Sequence, residues 1–410
     1  MEILTDDISI KSGILTGLSG HNIFEFCLKE NYSIAIWRQP GKDLVNYIIQ
    51  LSGKLPKTVT PDLENMEPGF LTSPYNNESN QLNYLIKADI HLTSESSDSL
   101  RLKILNYTSF DESCKSFILK AKSNKSETEK ESGQNSGKQY ISSDSDHDNF
   151  RSLVTLSVDK IREGRFQKVV PSRVTELVVP ASTNIFKKFQ ALCDIHPLAF
   201  VSLFSIPDKG SWLGASPEIL IQIDNKKTFY TSAVAGTQTS SNIDNLTSVA
   251  WTQKEIEEQA LVSRYIINCF KKIRLREFEE SGPKTVKAGN LVHLRTDFKV
   301  DMKAVNFPQL GSVMLKLLHP TSAVCGMPKE PAEMFLKENE NFDREFFSGY
   351  IGPVNIENCT SLYVNLRCAK IFNQKAFLYA GAGVTFDSIP EKEWNETEMK
   401  LRSIMQVFDH

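Results

Sequence analysis

Two stretches of this chain place carboxylates at a spacing that could hold a cation. In WTQKEIEEQALVSRYIINCF (251–270), Glu255 and Glu258 lie about one helical turn apart, and Glu258 shares a stripe with Val262, Tyr265 and Cys269. A glutamate on an apolar line is not the routine solvent glutamate of an amphipathic helix. In PEKEWNETEMKL (390–401), Glu393 and Glu396 repeat the spacing, and Lys400 follows Glu396 at i+4. Two helices, each offering Glu-x-x-Glu, supply oxygen ligands for one hard cation. The same residues also read as surface charge pairs, such as Glu396 with Lys400.

Acid–base candidates lie elsewhere. Lys168 sits in RFQKVVPSR, where strand alternation puts Phe166, Lys168 and Val170 on one face. Such a lysine is either a surface residue at an edge or a desolvated amine drawn toward base chemistry. Glu218, in LGASPEIL, follows Gly214 and Pro217 and opens an apolar strand. It reads as a general acid of raised pKa or as an exposed strand end. Arg367 reads as mid-strand in LYVNLRCAKIF, with Leu362, Val364, Leu366 and Cys368 on the opposite face, and suits a fork for a carboxylate ligand. Gly381 and Gly383 in YAGAGV stand where a side chain would block close backbone approach. In LLHPTSAVCGMPKEPAEMF (317–335), His319, Cys325 and Lys329 fall among three prolines and a glycine, a backbone both broken and stiff.

Positioning these residues requires strands above all. Alternating runs at 32–39 and 83–92 give residues 1–121 a strand-rich character, and that segment is expected to join the same unit as the second half. Residues 122–150 are nearly free of aliphatic side chains and read as a polar linker or insertion. The acidic run Asp144, Asp146, Asp148 lacks the glycine and final glutamate of a calcium loop. Residues 151–410 carry all the candidate residues above and are expected to be the catalytic region. They open with an amphipathic helix carrying Leu153, Leu156, Val158 and Ile161. Strands are expected at 199–206, 211–223, 227–238, 361–372 and 376–386, and helices at 250–275 and 391–407. Strand mostly follows strand, so the expected class is α+β, with large antiparallel sheets and helices packed on them. The common phosphate-loop, dinucleotide and nucleophile-elbow motifs are absent.

Composition excludes several classes. A net charge of −3 and a pI near 6.2 give no basic surface for nucleic acid or membrane. Seven cysteines without CxxC spacing read as scattered reduced thiols, in keeping with a cytoplasmic protein. The start MEILTDDISI has no signal-peptide pattern, and no apolar run approaches the roughly 20 residues of a membrane span.

Taken in order, FQKVVPSR, WLGASPEIL, SAVAGTQ, LHPTSAVCGMP, FDREFFSGYIG, LYVNLRCAKI, YAGAGV and PEKEWNETEMKL resemble the chorismate-utilising enzymes of the anthranilate synthase component I type, and among them the isochorismate synthase branch. The resemblance covers about 155–408. It implies the family's large α+β fold with helices on the outer faces of antiparallel sheets. It implies Mg2+ held by Glu258 and Glu396, with Glu255 and Glu393 behind them. It also implies chorismate bound by Arg367, Lys400, Gly381 and Gly383, and by Gly236 and Thr237 of SAVAGTQ. Lys168 matches the general base that activates water, and Glu218 the general acid. Ala323 stands where ammonia-using and lyase members tend to carry Thr, which favours water addition that stops at isochorismate. Phe347 stands where ammonia-using members often have Tyr, and Arg295 in VHLRT where a small residue is commoner. The implied activity is an Mg2+-dependent isomerase, working as a monomer without an obligatory glutaminase subunit. Its product would feed menaquinone or siderophore and salicylate biosynthesis. The alternatives are a salicylate synthase and an aminating anthranilate or aminodeoxychorismate synthase subunit.

Overall fold

The structure is a computed structural model. It describes all residues except 1–3, 6–7, 10–13, 16, 54, 56, 59, 77–81, 97–98, 104–111, 124–139, 142–143, 240–245, 247–248, 289–290 and 410. Among the described residues there is an 11-stranded sheet and a 9-stranded sheet, with neighbouring strands antiparallel. The fold is α+β, with helices on the outer faces.

Side-chain alternation shows how the layers stack. In strand Ser33–Arg38, Ile34 and Ile36 join a core shared with helices Gly20–Lys29 and Ile185–Ile195, while Ala35 and Trp37 face the other way. Strand Phe200–Ile206 divides likewise, Val201 and Leu203 against Phe200 and Phe204. Trp37, Phe200, Phe204 and Trp212 of the larger sheet meet Phe70, Ile351 and Tyr363 of the smaller one. This aromatic layer is therefore the seam of a face-to-face sandwich. The outer face of the smaller sheet packs on helices Asp144–Arg162, Gln253–Lys272, Leu310–Leu318 and Lys329–Asn339.

Strands from the first 121 residues enter both sheets. Ser33–Arg38 pairs with Phe200–Ile206, and Gly69–Ser73 pairs with Tyr350–Val354.

Three local readings need correction. Helix Asp144–Arg162 begins inside the stretch assigned to a linker, and Phe150 is buried. Phe150, Val154 and Val158 recur every four residues, and Phe150 and His147 pack on Trp394 of helix Pro390–Met405. Polar composition hid that periodicity; residues 124–139 of the same stretch lie outside the described residues. Leu156, read as part of the apolar face of the helix that opens the second region, is exposed. Runs 211–223 and 361–372 are not single strands. Each breaks and changes sheet, at Pro217–Glu218 and at Asn365–Arg367. Arg367 is thus not mid-strand but at a crossing, with φ +48°. The two crossings run side by side: Val364 N donates to Glu218 O at 3.0 Å and Ala215 N to Arg367 O at 3.1 Å.

Candidate active site

Where the paired chains cross, a cleft of about 640 Å³ opens. Its lining includes Lys168, Glu218, Gly236, Glu255, Glu258, Ala323, Arg367, Gly381, Gly383, Glu396 and Lys400. Glu393 is buried on the same helix as Glu396 but does not line the cleft. Thr237 belongs to strand Thr228–Thr239, and its side chain lies outside the described residues.

Lys168 is a buried residue, 3% exposed, which removes the surface reading. It stands on the two-residue strand Lys168–Val169, paired with Gly326–Met327. That pairing depends on Gly326, whose φ is +149° and whose added Cβ would lie 2.3 Å from Lys168 O. The broken, stiff stretch at 317–335 thus folds as a helix end, a turn, this short strand and a new helix, with Ala323 and Val324 against the cleft. The Lys168 ammonium meets Glu258 Oε1 at 2.6 Å and holds that carboxyl below its usual range. Gly383 makes room for the pair, since a Cβ there would sit 3.0 Å from Lys168 Cε and 3.4 Å from Glu258 Oε1.

Glu218 sits at the first crossing, half-buried at the cleft wall. Burial pushes its carboxyl up to about 7, against the pull of Thr321, Lys168 and Lys400. Lys400 Nζ bridges Glu396 Oε1 at 2.6 Å and Gly381 O at 2.8 Å. Arg367 is half-buried, and burial draws its guanidinium down from its usual value. A cation short of solvent and open to a cleft suits an anionic ligand group.

The carboxylates play unequal parts. Glu255 closes a capping box with Thr252, whose backbone N donates to Oε2 at 2.8 Å, and also accepts from Gln238. Burial and the neighbouring Glu396 charge push the Glu393 carboxyl up. Among the described residues no three His, Cys, Asp or Glu side chains converge on a point that could hold a metal. The donor set nonetheless fits a hard divalent cation. It is all oxygen, it comes from two helices beside one cleft, and the Glu393 carboxyl stays raised although Lys254 Nζ lies 4.0 Å from its Oε1.

Two features escaped sequence reasoning. His293, in the VHLRT stretch, lines the cleft, and its Nδ1 lies 2.9 Å from Gly236 O. Burial lowers its pKa, so it faces the cleft neutral. Lys254 and Lys392, one on each flanking helix, line the cleft beside the carboxylates. His319 is not at the cleft. Its Nε2 meets Tyr75 O at 3.2 Å, and burial pushes it down to about 3.

Residues 85–409 match the family described as chorismate binding enzyme, and the chain belongs to that family. It is 29% identical over 264 residues to the isochorismate synthase EntC of Escherichia coli (strain K12), covering 63% of this chain and 66% of that protein. It is 27% identical over 264 residues to the vibriobactin-specific isochorismate synthase of Vibrio cholerae serotype O1, covering 62% and 65%. The matched region is thus just under two thirds of the length of these curated relatives. The fold is that of MenF, the menaquinone-specific isochorismate synthase from Escherichia coli, with a TM-score of 0.72 and 20% identity over 96% of this chain and 93% of that one. Anthranilate synthase component I from Streptococcus pneumoniae shares it, with a TM-score of 0.65 and 18% identity over 91% and 92%.

Proposed function

We propose that the protein is an isochorismate synthase, an isomerase that adds water to one ring carbon of chorismate and expels hydroxide from another. The observation that carries this reading is Glu218, raised to about 7 in a cleft that also holds Lys168, Arg367 and Lys400. Hydroxide is a poor leaving group, and a carboxyl neutral near pH 7 can protonate it. Lys168 is the base that takes a proton from water. Arg367 and Lys400, with the Gly381 and Gly383 backbone, receive the substrate's carboxylates. Ala323 leaves the ring wall small and without a hydroxyl. The isochorismate synthases among its relatives support the same reading.

We further propose Mg2+ as the cation, held by Glu258 and Glu396 with Glu255 and Glu393 behind them. When bound, it offsets the substrate's negative charge and fixes its orientation. To act as the base Lys168 must first lose a proton to solvent; a cation held by Glu258 would draw on the carboxylate that stabilises the ammonium in the 2.6 Å pair and so would favour that loss. The residues act in the cytoplasm on a free small molecule, in a monomer without a glutaminase subunit.

The test is to incubate purified protein with chorismate and Mg2+ and separate the products by chromatography. Isochorismate, lost on adding excess chelator, is the expected result. Salicylate with pyruvate would make the protein a lyase. An aminated product formed only with ammonia would make it a synthase subunit.

A further inference from the structure

Behind the cleft wall lies a buried ion pair that the chemistry above does not use. Arg344 and Glu340 side chains are 2% and 6% exposed. Arg344 Nε donates to Glu340 Oε2 at 2.7 Å, and Nη2 pairs with Oε1. Further hydrogen bonds run to the backbone of cleft-lining residues. Nη1 donates to Val324 O at 2.9 Å, and Nη2 to Val170 O at 2.8 Å. Ser172 N donates to Glu340 Oε1 at 2.9 Å, and Phe347 N to Arg344 O at 2.8 Å. The guanidinium lies over the Tyr75 ring, 4.2 Å from its centroid. Val170, Ser172, Val324 and Phe347 all line the cleft.

A buried ion pair is weak evidence of stabilisation, since apolar residues of the same volume often do as well. An apolar pair, however, could not bind two carbonyls and an amide on separate segments at once. We propose that Arg344, with Glu340, is a positioning residue. The pair sets the gap between the strand carrying Lys168 and the wall carrying Ala323, and so places the amine against the substrate ring. The pair rests on the isochorismate synthase reading for its effect on rate, but its hold on the two segments does not.

Two measurements test it. In Arg344→Lys the charge stays, but one ammonium cannot span both carbonyls and the carboxylate. Hydrogen exchange at the Val170 and Cys325 amides should then quicken by about tenfold or more, with the far core unchanged. The first of these amides bonds Cys325 O at 2.9 Å across the gap. In turnover of chorismate, kcat should fall by about 10–100-fold with KM within about threefold, the signature of a misplaced group rather than lost binding. Glu340→Gln keeps one acceptor oxygen, for Ser172 N and Arg344 Nη2, but puts an amide that cannot accept opposite Arg344 Nε; it should move both readouts the same way, which covers a poorly folding Arg344→Lys. Leu203→Ala, buried in the core away from the cleft, calibrates loss of stability alone. Unchanged exchange at these amides, or a kcat no lower than that of Leu203→Ala at a matched melting temperature, overturns the proposal. If the wild-type protein leaves chorismate untouched, the functional reading fails, and the exchange data alone decide the positioning role.

Discussion

Glu218 shows most plainly how a residue's place changes its chemistry. A carboxyl raised from its ordinary value to about 7 keeps its proton in the folded protein over a range where the unfolded chain releases it. Its contribution to stability is full below the ordinary carboxylate range and is lost as pH rises through about 7. Glu218→Gln should therefore melt above wild type at pH 8 and alongside it at pH 4, as followed by thermal denaturation; an equal gap at both would contradict the shift. Activity should fall as pH rises through about 7, and Glu218→Gln should lose about 10²–10⁴-fold in kcat. Lys168→Arg should lose as much, because a guanidinium stays protonated and cannot act as the base. At this scale much was legible. Glu218 was marked by Pro217 and the strand after it, and Glu258 by its apolar stripe. Burial set aside the surface reading of Lys168, and burial depends on segments distant in sequence. Glu255 was readable as a helix cap from Thr252-x-x-Glu255, although cation ligation was the reading it drew.

Among elements, the least legible feature was the double crossing between sheets. The strands within 211–223 and 361–372 are buried on both faces on either side of the break, since each sheet is covered on both sides, so alternation alone does not tell a crossing from a continuous strand. Pro217 was the only clue to one crossing, and the left-handed Arg367 leaves no mark in the sequence. The glycines did point to close approach, and Gly326 gives the element-scale prediction. Gly326→Ala would drive a Cβ into Lys168 O and strain a φ of +149°. It should separate Gly326–Met327 from Lys168–Val169, lower the melting temperature and abolish most turnover. Gly53→Ala, with open space around it, should be neutral by both measures. A fully active Gly326→Ala enzyme would show that this short pairing does not hold Lys168.

For the whole molecule, α+β class and outer helices were legible from the order of strands and helices, but the interleaving of the chain was not. Ser33–Arg38 and Gly69–Ser73 each pair on one side with a strand close by in sequence and on the other with one more than a hundred residues away, and no local pattern encodes the distant contact. Residues 151–410 alone would expose Phe200–Ile206 and Tyr350–Val354 as unpaired edges beside an aromatic seam. Expressed without 1–121, that region should be insoluble or lack a cooperative melt; a soluble, active fragment would contradict the interleaved architecture. The account as a whole rests on water as the nucleophile. The most direct measurement is turnover of chorismate in H2¹⁸O, with mass spectrometry of the product. Isochorismate heavier by one ¹⁸O is the predicted result, because the incoming hydroxyl comes from solvent and the original one leaves. Unlabelled isochorismate would mean that the hydroxyl migrates within the substrate, and it would contradict the roles given to Lys168 and Glu218.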